Sequence, residues 1–273
     1  VFVHPFDDPH IVAGAGTVVT GTTWSGTVAV GDAVRLLPLD REGRVRSIEV
    51  HGAAADRAVP GRRTALALVG VHKDEVRRGH VAVTGPGWRA TPVIEAEVEL
   101  VATAARPLTN RARVRVHLGT AEGLARTVLA APLVPGSHGV ARLVLEAPLV
   151  ARGGDRFVLR SFSPVTTIGG GVVTDPLPVT RRGRATSVTA GRPPVERVLA
   201  WLGTAGLSGL AQDDLPVRLG LTPAGSASVV AAAGKAVLDA GGLLVARTVM
   251  AAATEDLGAA LDRHHRERPL EPG

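Results

Sequence analysis

The stretch that decides the fold reads Gly14-Ala15-Gly16-Thr17-Val18-Val19-Thr20-Gly21-Thr22, and Ser25-Gly26 and Gly31-Asp32 follow it. Valine and threonine favour extended strands, whereas glycine allows the bends and the positive φ angles of bulges and tight turns. We therefore predict a glycine-bent strand that passes through a tight turn into a second strand.

Similar short strand patterns, separated by Gly, Pro and Asp, continue to about residue 176. Residues 94–100 read Ile-Glu-Ala-Glu-Val-Glu-Leu, and residues 113–118 read Arg-Val-Arg-Val-His-Leu. Such alternation predicts strands with one solvated face and one buried face, as barrels and sandwiches require. The solvated face carries three carboxylates in the first strand and basic groups in the second. Because Pro86-Gly87 and Pro92 interrupt the region, we predict two β-barrels, at 1–88 and 89–176.

The pattern changes after residue 176. Residues 177–192 contain Arg181-Arg182-Gly183-Arg184 and no apolar periodicity, which predicts a basic linker. The predicted elements beyond it are a helix from Pro194, a helix over 213–219, a helix over 224–240 and a strand over 243–247. Three short helices and a strand within 193–249 favour a winged helix-turn-helix. The expected fold class is therefore mainly β with a C-terminal α-rich part.

The charge of the chain suggests an anionic partner. The net charge is +6 with a pI near 11.1, which is typical of proteins that bind nucleic acid. Lysine occurs only at Lys73 and Lys235, so the excess is almost entirely arginine. This bias is also what a GC-rich genome produces, and both interpretations stay open. With three tryptophans and no tyrosine, we expect any RNA contact to run through phosphates and shape rather than through base stacking.

The composition also bears on location. The chain has no cysteine and no apolar run that approaches the ~18 residues of a membrane helix. We expect a cytoplasmic protein with no membrane partner.

The glycine-bent stretch at 14–32, with Pro60-Gly61 and Val76-Arg77-Arg78-Gly79-His80-Val81, resembles the second domain of translational GTPases of the elongation factor Tu family. Three further stretches, at 117–122, 155–160 and 163–173, resemble domain three of the selenocysteine-specific elongation factor (SelB) family. The winged-helix pattern favours this family, since elongation factor Tu stops after its third domain. Residues 264–273 resemble the start of the next winged helix of bacterial members, so we expect 250–273 to begin a truncated second winged helix.

The resemblance implies a parent protein that delivers selenocysteyl-tRNA to the ribosome in a GTP-dependent manner. In the parent protein, a hairpin of the mRNA would be bound by later winged helices, which this sequence does not contain. GTP and Mg²⁺ would be bound by a G domain. Since the sequence has no G-x-x-x-x-G-K-[ST] motif, we expect this chain to bind no cofactor and not to hydrolyse GTP alone.

The resemblance also implies an aminoacyl pocket, in which basic groups hold the selenolate. The Asp-Arg pair of the family falls on Asp7-Asp8, so a carboxylate replaces the arginine, whereas the second pocket arginine is matched by Arg78. Arg113 and Arg115 are candidates for contact with the tRNA backbone, on charge placement alone. The triple glycine at 169–171 is not expected to bind phosphate, since no Lys-Ser/Thr follows it.

Two alternatives remain. The chain could belong to another translational GTPase, such as an elongation factor Tu or initiation factor relative, which should lack the Thr-Ile-Gly-Gly-Gly run and the winged helix. It could instead be a non-catalytic β-barrel and winged-helix protein that binds nucleic acid, which should carry a basic recognition helix.

Overall fold

The computed structural model describes residues 2–3, 10–12, 16–179 and 189–267. Two β-structures follow each other along the chain, and a small helical unit comes after them. The predicted fold class, mainly β with a C-terminal α-rich part, is confirmed. The predicted domain limits stay predictions, and much of the predicted basic linker, residues 180–188, lies outside the described residues.

The first β-structure, barrel 1, has ten strands. They are β1 (Phe2–Val3), β2 (His10–Val12), β3 (Gly16–Ser25), β4 (Val28–Ala29), β5 (Ala33–Leu37), β6 (Arg41–Val50), β7 (Ala53–Ala55), β8 (Arg57–Ala58), β9 (Arg62–Val69) and β10 (Val81–Val83). The sheet runs β1-β10-β5-β6-β9-β3-β2, and β1 also pairs with β3, which closes six of the strands into a ring. The predicted glycine-bent strand is β3, and the turn after it places Gly26 at a φ of 70°.

The second β-structure, barrel 2, is a closed barrel in the order β11-β14-β13-β12-β15-β16. Its strands are β11 (Thr91–Leu100), β12 (Arg113–Leu118), β13 (Ala121–Leu129), β14 (His138–Leu149), β15 (Arg156–Ser161) and β16 (Thr167–Asp175). The alternation predicted for 113–118 is confirmed, since Val114, Val116 and Leu118 are buried in the barrel core.

The helical unit packs short helices on a three-stranded sheet, β17-β19-β18. Its elements are α1 (Pro194–Ala205), β17 (Leu210–Ala211), α2 (Leu215–Leu219), α3 (Pro223–Ala233), β18 (Val237–Asp239), β19 (Leu243–Ala246) and α4 (Arg247–Glu267). Trp201 is the largest side chain in its core. Across the described ranges, no helix combines the length and the apolarity that crossing a membrane would require.

One helix prediction was wrong at its end. The helix expected over 224–240 stops at Ala233, because Gly234 adopts a φ of 52° and a short 3-10 turn follows. Residues 237–239 then pair with β19 as strand β18. Hairpin pairing with the nearby strand β19, and not helix propensity, decided the conformation of this segment.

The solvated face predicted for 94–100 was also wrong at one position. Glu95 is fully buried and pairs with Arg142, which is 2% exposed, at 2.5 Å between Oε1 and Nη2. Glu99, on the same face of β11, is exposed as expected. The difference arises because Glu95 lies opposite Asp175, at the end of β16 that the helical unit covers.

The helical unit is attached to barrel 2 through buried polar contacts. Arg218 of α2 lies 3.2 Å from the Asp175 carboxylate and also donates to the carbonyl of Leu177. Arg197 of α1 donates to the carbonyl of Thr174 at 2.7 Å. The two guanidinium groups lie 5.2 and 5.4 Å from the Trp201 ring centroid, within the range of cation–π attraction. The sequence alone does not predict this arrangement.

Two carboxyl groups near this attachment have raised pKa values. Burial raises the pKa of Asp175 from 3.8 to about 6, although Arg218 and the N–H of Leu177 favour the charged form and Glu95 opposes it. Burial likewise raises the pKa of Asp155 from 3.8 to about 6, against the opposing effect of Arg152. Both groups therefore bind protons more tightly in the folded chain than in the unfolded chain.

We predict that Glu95→Leu destabilises the fold strongly, because it leaves the Arg142 guanidinium buried without its carboxylate. The expected loss is about 3–5 kcal/mol, measured by urea denaturation. Glu99→Leu, on the exposed end of the same strand face, is the matched control and should change stability little. The double variant Glu95→Leu/Arg142→Met should recover much of the loss, and a double variant as unstable as the single one would contradict this account.

We also predict a pH dependence. A carboxyl whose pKa is raised in the folded state stabilises that state fully below its unfolded pKa, and this contribution is lost as pH rises through the folded pKa. The stability of the wild type relative to that of Asp175→Asn should therefore fall as the pH rises from about 4 to about 7. Chemical denaturation across this range measures the difference. Glu146→Gln should behave differently, because Arg113 lowers the pKa of Glu146 from its ordinary value of 4.5. The contribution of this carboxylate is present above that value and is lost as pH falls below it.

Candidate nucleic-acid interface

The outer surface of barrel 2 carries a cluster of arginines on three neighbouring strands. Arg113 on β12 lies opposite Arg126 on β13, and Arg115 on β12 lies opposite Arg160 on β15. Strand register brings them together, since paired residues on adjacent strands have side chains on the same face. We call Arg113, Arg115, Arg126, Arg160 and the adjacent Phe162 the arginine face.

Two of these arginines are held by carboxylates. Arg113 makes a bidentate pair with Glu146, with both N···O distances at 2.7 Å, and Arg115 lies 2.6 Å from Glu122. The hydrogen bond from Arg113 lowers the pKa of Glu146, and the one from Arg115 lowers the pKa of Glu122. These pairs are partly exposed, so water and salt weaken them. Four guanidinium groups against two carboxylates leave the face with an excess of positive charge.

Phe162 gives the arginine face an aromatic centre. Its ring lies 4.2 Å from the Arg113 guanidinium carbon and 5.6 Å from that of Arg115, and it is 38% exposed. Stacking on a ring holds a guanidinium flat and keeps its outer N–H groups free for a partner. Arg113 and Phe162 also line a cleft of about 1030 Å³, formed by residues 103–109, 112–114, 161–164 and 166–168.

The structure places the two predicted backbone candidates, Arg113 and Arg115, side by side, but in ion pairs rather than alone. Arg126, Arg160 and Phe162 were not predicted to belong with them. The period-two alternation of 156–160 does mark Arg160 as outward, but only the strand order shows that β15 and β13 flank β12. The sequence therefore predicted two of the five residues of the arginine face, Arg113 and Arg115.

Arg78 lies on an exposed turn where the two barrels meet. The next residue, Gly79, has a φ of 89°, and a Cβ there would lie 3.0 Å from the Cα of Ala121 in barrel 2. Ala121 precedes Glu122, the partner of Arg115. Arg78 therefore lies on a turn that meets the edge of the arginine face. The other predicted pocket residue, Asp7, and its neighbour Asp8 lie outside the described residues.

The triple glycine is a strand, not a phosphate-binding loop. Gly169 and Gly171 lie in β16, and a Cβ on either would lie 2.2 Å from a carbonyl oxygen of β11. The absent side chains let β16 approach its neighbours closely. The glycine run is therefore part of the barrel wall.

Comparison with known proteins finds a matching family for each of the two barrels. Residues 16–83 match the family described as elongation factor Tu domain 2, and residues 95–180 match the β-barrel domain of the selenocysteine-specific elongation factor. The chain is 33% identical over 224 residues to the selenocysteine-specific elongation factor of Desulfomicrobium baculatum, a match over 80% of this chain and 35% of that protein. It is 42% identical over 77 residues to elongation factor 1-alpha of Pyrobaculum islandicum, which covers 28% of this chain and 17% of that protein.

The fold is also similar to that of a solved structure. A crystal structure of a bacterial selenocysteine-specific elongation factor, EF-Sec, superposes with a TM-score of 0.75 at 21% identity, over 97% of this chain and 43% of that one. The chain spans 35%, about a third, of the length of the D. baculatum relative. The elongation factor 1-alpha match covers only 28% of the chain, whereas the selenocysteine-specific match extends over most of it. The chain therefore belongs to the family of selenocysteine-specific elongation factors, among the relatives of elongation factor Tu.

Proposed function

We propose that this chain is the tRNA-holding part of a factor that delivers selenocysteyl-tRNA to the ribosome. The observation that carries the proposal is the arginine face of barrel 2, which lies beside the turn of Arg78 in a chain of this family. A curved surface of guanidinium groups suits the phosphate backbone of an RNA helix, which proteins recognise by shape and charge. The partners would be the selenocysteine tRNA and the ribosome, in the cytoplasm.

The exposed ion pairs of the arginine face suit this role. A phosphate can replace the Glu122 or Glu146 carboxylate on the same guanidinium fork, because both acceptors fit its paired N–H groups. Since the pairs are partly exposed, little free energy is lost when they open. In the free chain the carboxylates keep the arginines extended and ordered.

Arg78 is proposed to contact the aminoacyl end of the tRNA. Its guanidinium stays charged and offers a fork of donors, which suits a selenolate or a terminal carbonyl. The resemblance also assigns Asp7 to this pocket, and Asp8 supplies a carboxylate in place of the family's arginine. That carboxylate would repel a selenolate, so Arg78 would have to provide the discrimination between selenocysteine and serine.

Binding and hydrolysis of GTP with Mg²⁺ would belong to a G domain of the parent protein, because this sequence contains no G-x-x-x-x-G-K-[ST] motif. The helical unit has the element order of the predicted winged helix, but α3 carries no charged residue. A groove-reading helix needs polar or basic side chains. This favours a spacer role over the alternative of a non-catalytic nucleic-acid-binding protein, and leaves the mRNA hairpin to further winged helices.

We predict that the 273-residue chain binds selenocysteine tRNA with a strong salt dependence. Arg115→Ala combined with Arg160→Ala should weaken binding and reduce the slope of log affinity against log salt by about 1 for each phosphate that the variant no longer neutralises. Fluorescence anisotropy with labelled tRNA measures both. Arg263→Ala, a single exposed change on α4, should alter neither. An unchanged salt slope in the double variant would exclude the arginine face as the tRNA-binding surface.

We further predict that Arg78→Ala weakens binding of selenocysteyl-tRNA about tenfold, since removing one charged hydrogen bond costs about 1.5 kcal/mol. Deacylated tRNA should bind as before, because Arg78 is proposed to touch the aminoacyl group. Arg77→Ala, the exposed neighbour, is the matched control. Equal losses of affinity for charged and deacylated tRNA would show that Arg78 contacts the backbone instead.

A further inference from the structure

The cleft beside the arginine face lies between two loops of barrel 2. One wall is formed by residues 103–109, in the connection from β11 to β12, and the other by residues 161–164, where β15 ends. Its volume of about 1030 Å³ is at the upper end of the ~300–1,000 Å³ that is usual for ligand sites. The cleft is therefore large enough for an organic group, and not only for an ion.

The floor of the cleft is apolar. Leu108 and Val114 line it, and both are buried members of the core of barrel 2. Ala104, Ala112 and Ile168 line it as well, and they pack on the same core while staying partly exposed. The barrel core thus reaches the surface at this point. Such a floor suits a ligand with a flat, weakly polar face and does not suit a bare inorganic anion.

The mouth of the cleft is basic and aromatic. Arg106 and Arg113 line it, and none of the lining residues that the structure describes is acidic. The Phe162 ring is 38% exposed and lies 4.2 Å from the Arg113 guanidinium carbon. An aromatic ring stacks on a nucleobase, and a guanidinium group pairs with a phosphate. The cleft therefore offers a partner for each of these two parts of a nucleotide.

Hydrogen bonds hold both walls in place. The Ser161 N–H donates to the carbonyl of Thr166 at 2.8 Å, and the Ser161 hydroxyl accepts the Thr166 N–H at 3.1 Å. On the other wall, Leu108 and Leu133 exchange two backbone hydrogen bonds of 2.9 and 3.0 Å. Phe162 is thus presented on a closed turn. A site with ordered walls loses little conformational freedom when a ligand binds.

The cleft opens where the arginine face ends. Arg115 lies opposite Arg160, and the next pair along the same two strands, Val114 and Ser161, lines the cleft. A nucleic-acid backbone on the arginine face therefore passes the mouth of the cleft. A base that is paired within an RNA helix stays inside that helix, whereas an unpaired base can be splayed out and stacked on a protein ring.

We propose that this cleft binds the base of one unpaired nucleotide, in an RNA whose backbone lies on the arginine face. The base stacks on Phe162 above the apolar floor, and its phosphate pairs with Arg106 or Arg113. The inference rests on the proposed function, since it takes the arginine face as the surface for the RNA backbone, and it goes further. Phosphate contacts do not report on base pairing, whereas the cleft selects an RNA with an unpaired nucleotide at this position.

The test compares three short RNA duplexes of one sequence: fully paired, with one extra unpaired adenosine, and with an abasic site in place of that adenosine. We predict that the full chain binds the second about tenfold more tightly than the other two, the effect expected from stacking one base. Phe162→Leu keeps an apolar side chain without the ring and should bind all three alike. Val165→Ala is the matched control, because Val165 is exposed in the same turn but does not line the cleft. Fluorescence anisotropy measures the affinities.

A second measurement locates the base. The chain contains four phenylalanines, so 4-fluorophenylalanine labelling gives four ¹⁹F NMR signals, and the spectrum of Phe162→Leu identifies the signal of Phe162. The duplex with the unpaired adenosine should shift this signal, and the abasic duplex should shift it far less. The signal of Phe157, which is buried in the core of barrel 2, should stay in place with both.

The outcomes separate this inference from the proposed function. Equal binding of the three duplexes by the parent chain, or an equal loss for all three in Phe162→Leu, would overturn the cleft as a base site and leave the arginine face as an RNA-binding surface. If no duplex binds but single-stranded oligoadenylate shifts the Phe162 signal, the arginine face fails and the base site stands. A signal that responds to N-acetyl-leucinamide and not to RNA would assign the cleft to an apolar peptide and overturn the inference.

Discussion

The ion pair between Asp175 and Arg218 is the interaction on which the arrangement of the units depends. Asp175 ends the last strand of barrel 2 and is almost fully buried, and Arg218 reaches it from α2. A buried charge without a partner costs several kcal/mol, so the two groups stabilise the fold only together. Glu95 and Arg142 form a second such pair beside them. The helical unit therefore supplies the guanidinium group that pairs with a buried carboxylate of barrel 2.

The arginine face also contains arginine–carboxylate pairs, but these pairs do not hold the units together. Arg113 and Arg115 also pair with carboxylates, but both pairs are partly exposed to water. Water and salt screen such pairs, so they contribute little to stability and open easily. Burial thus separates the two roles of arginine in this chain. Buried guanidinium groups fix one unit on another, and exposed ones remain available to an anionic partner.

Glycine has a comparable double role. In β16, Gly169 and Gly171 allow neighbouring strands to approach where a Cβ would meet a carbonyl oxygen. At Gly153 the same property allows a loop of barrel 2 to touch α2. The first use closes a barrel, and the second joins two units. Both depend on the absence of a side chain rather than on a ligand, which is why the glycine-rich run of this chain is a structural feature.

The sequence by itself determined the two barrels, the helix from Pro194 and the outward direction of Arg113 and Arg115, because strand and helix periods are local properties of the chain. It did not separate Glu95 from Glu99, which share one face of one strand, nor did it end α3 at Ala233. It also did not join Arg126, Arg160 and Phe162 to the predicted arginines. The burial of Glu95 and the assembly of the arginine face were decided by the tertiary structure, because burial beneath another unit and strand order are set by contacts between residues far apart in the chain. The end of α3 is instead set locally, by Gly234 and by the hairpin of β18 and β19.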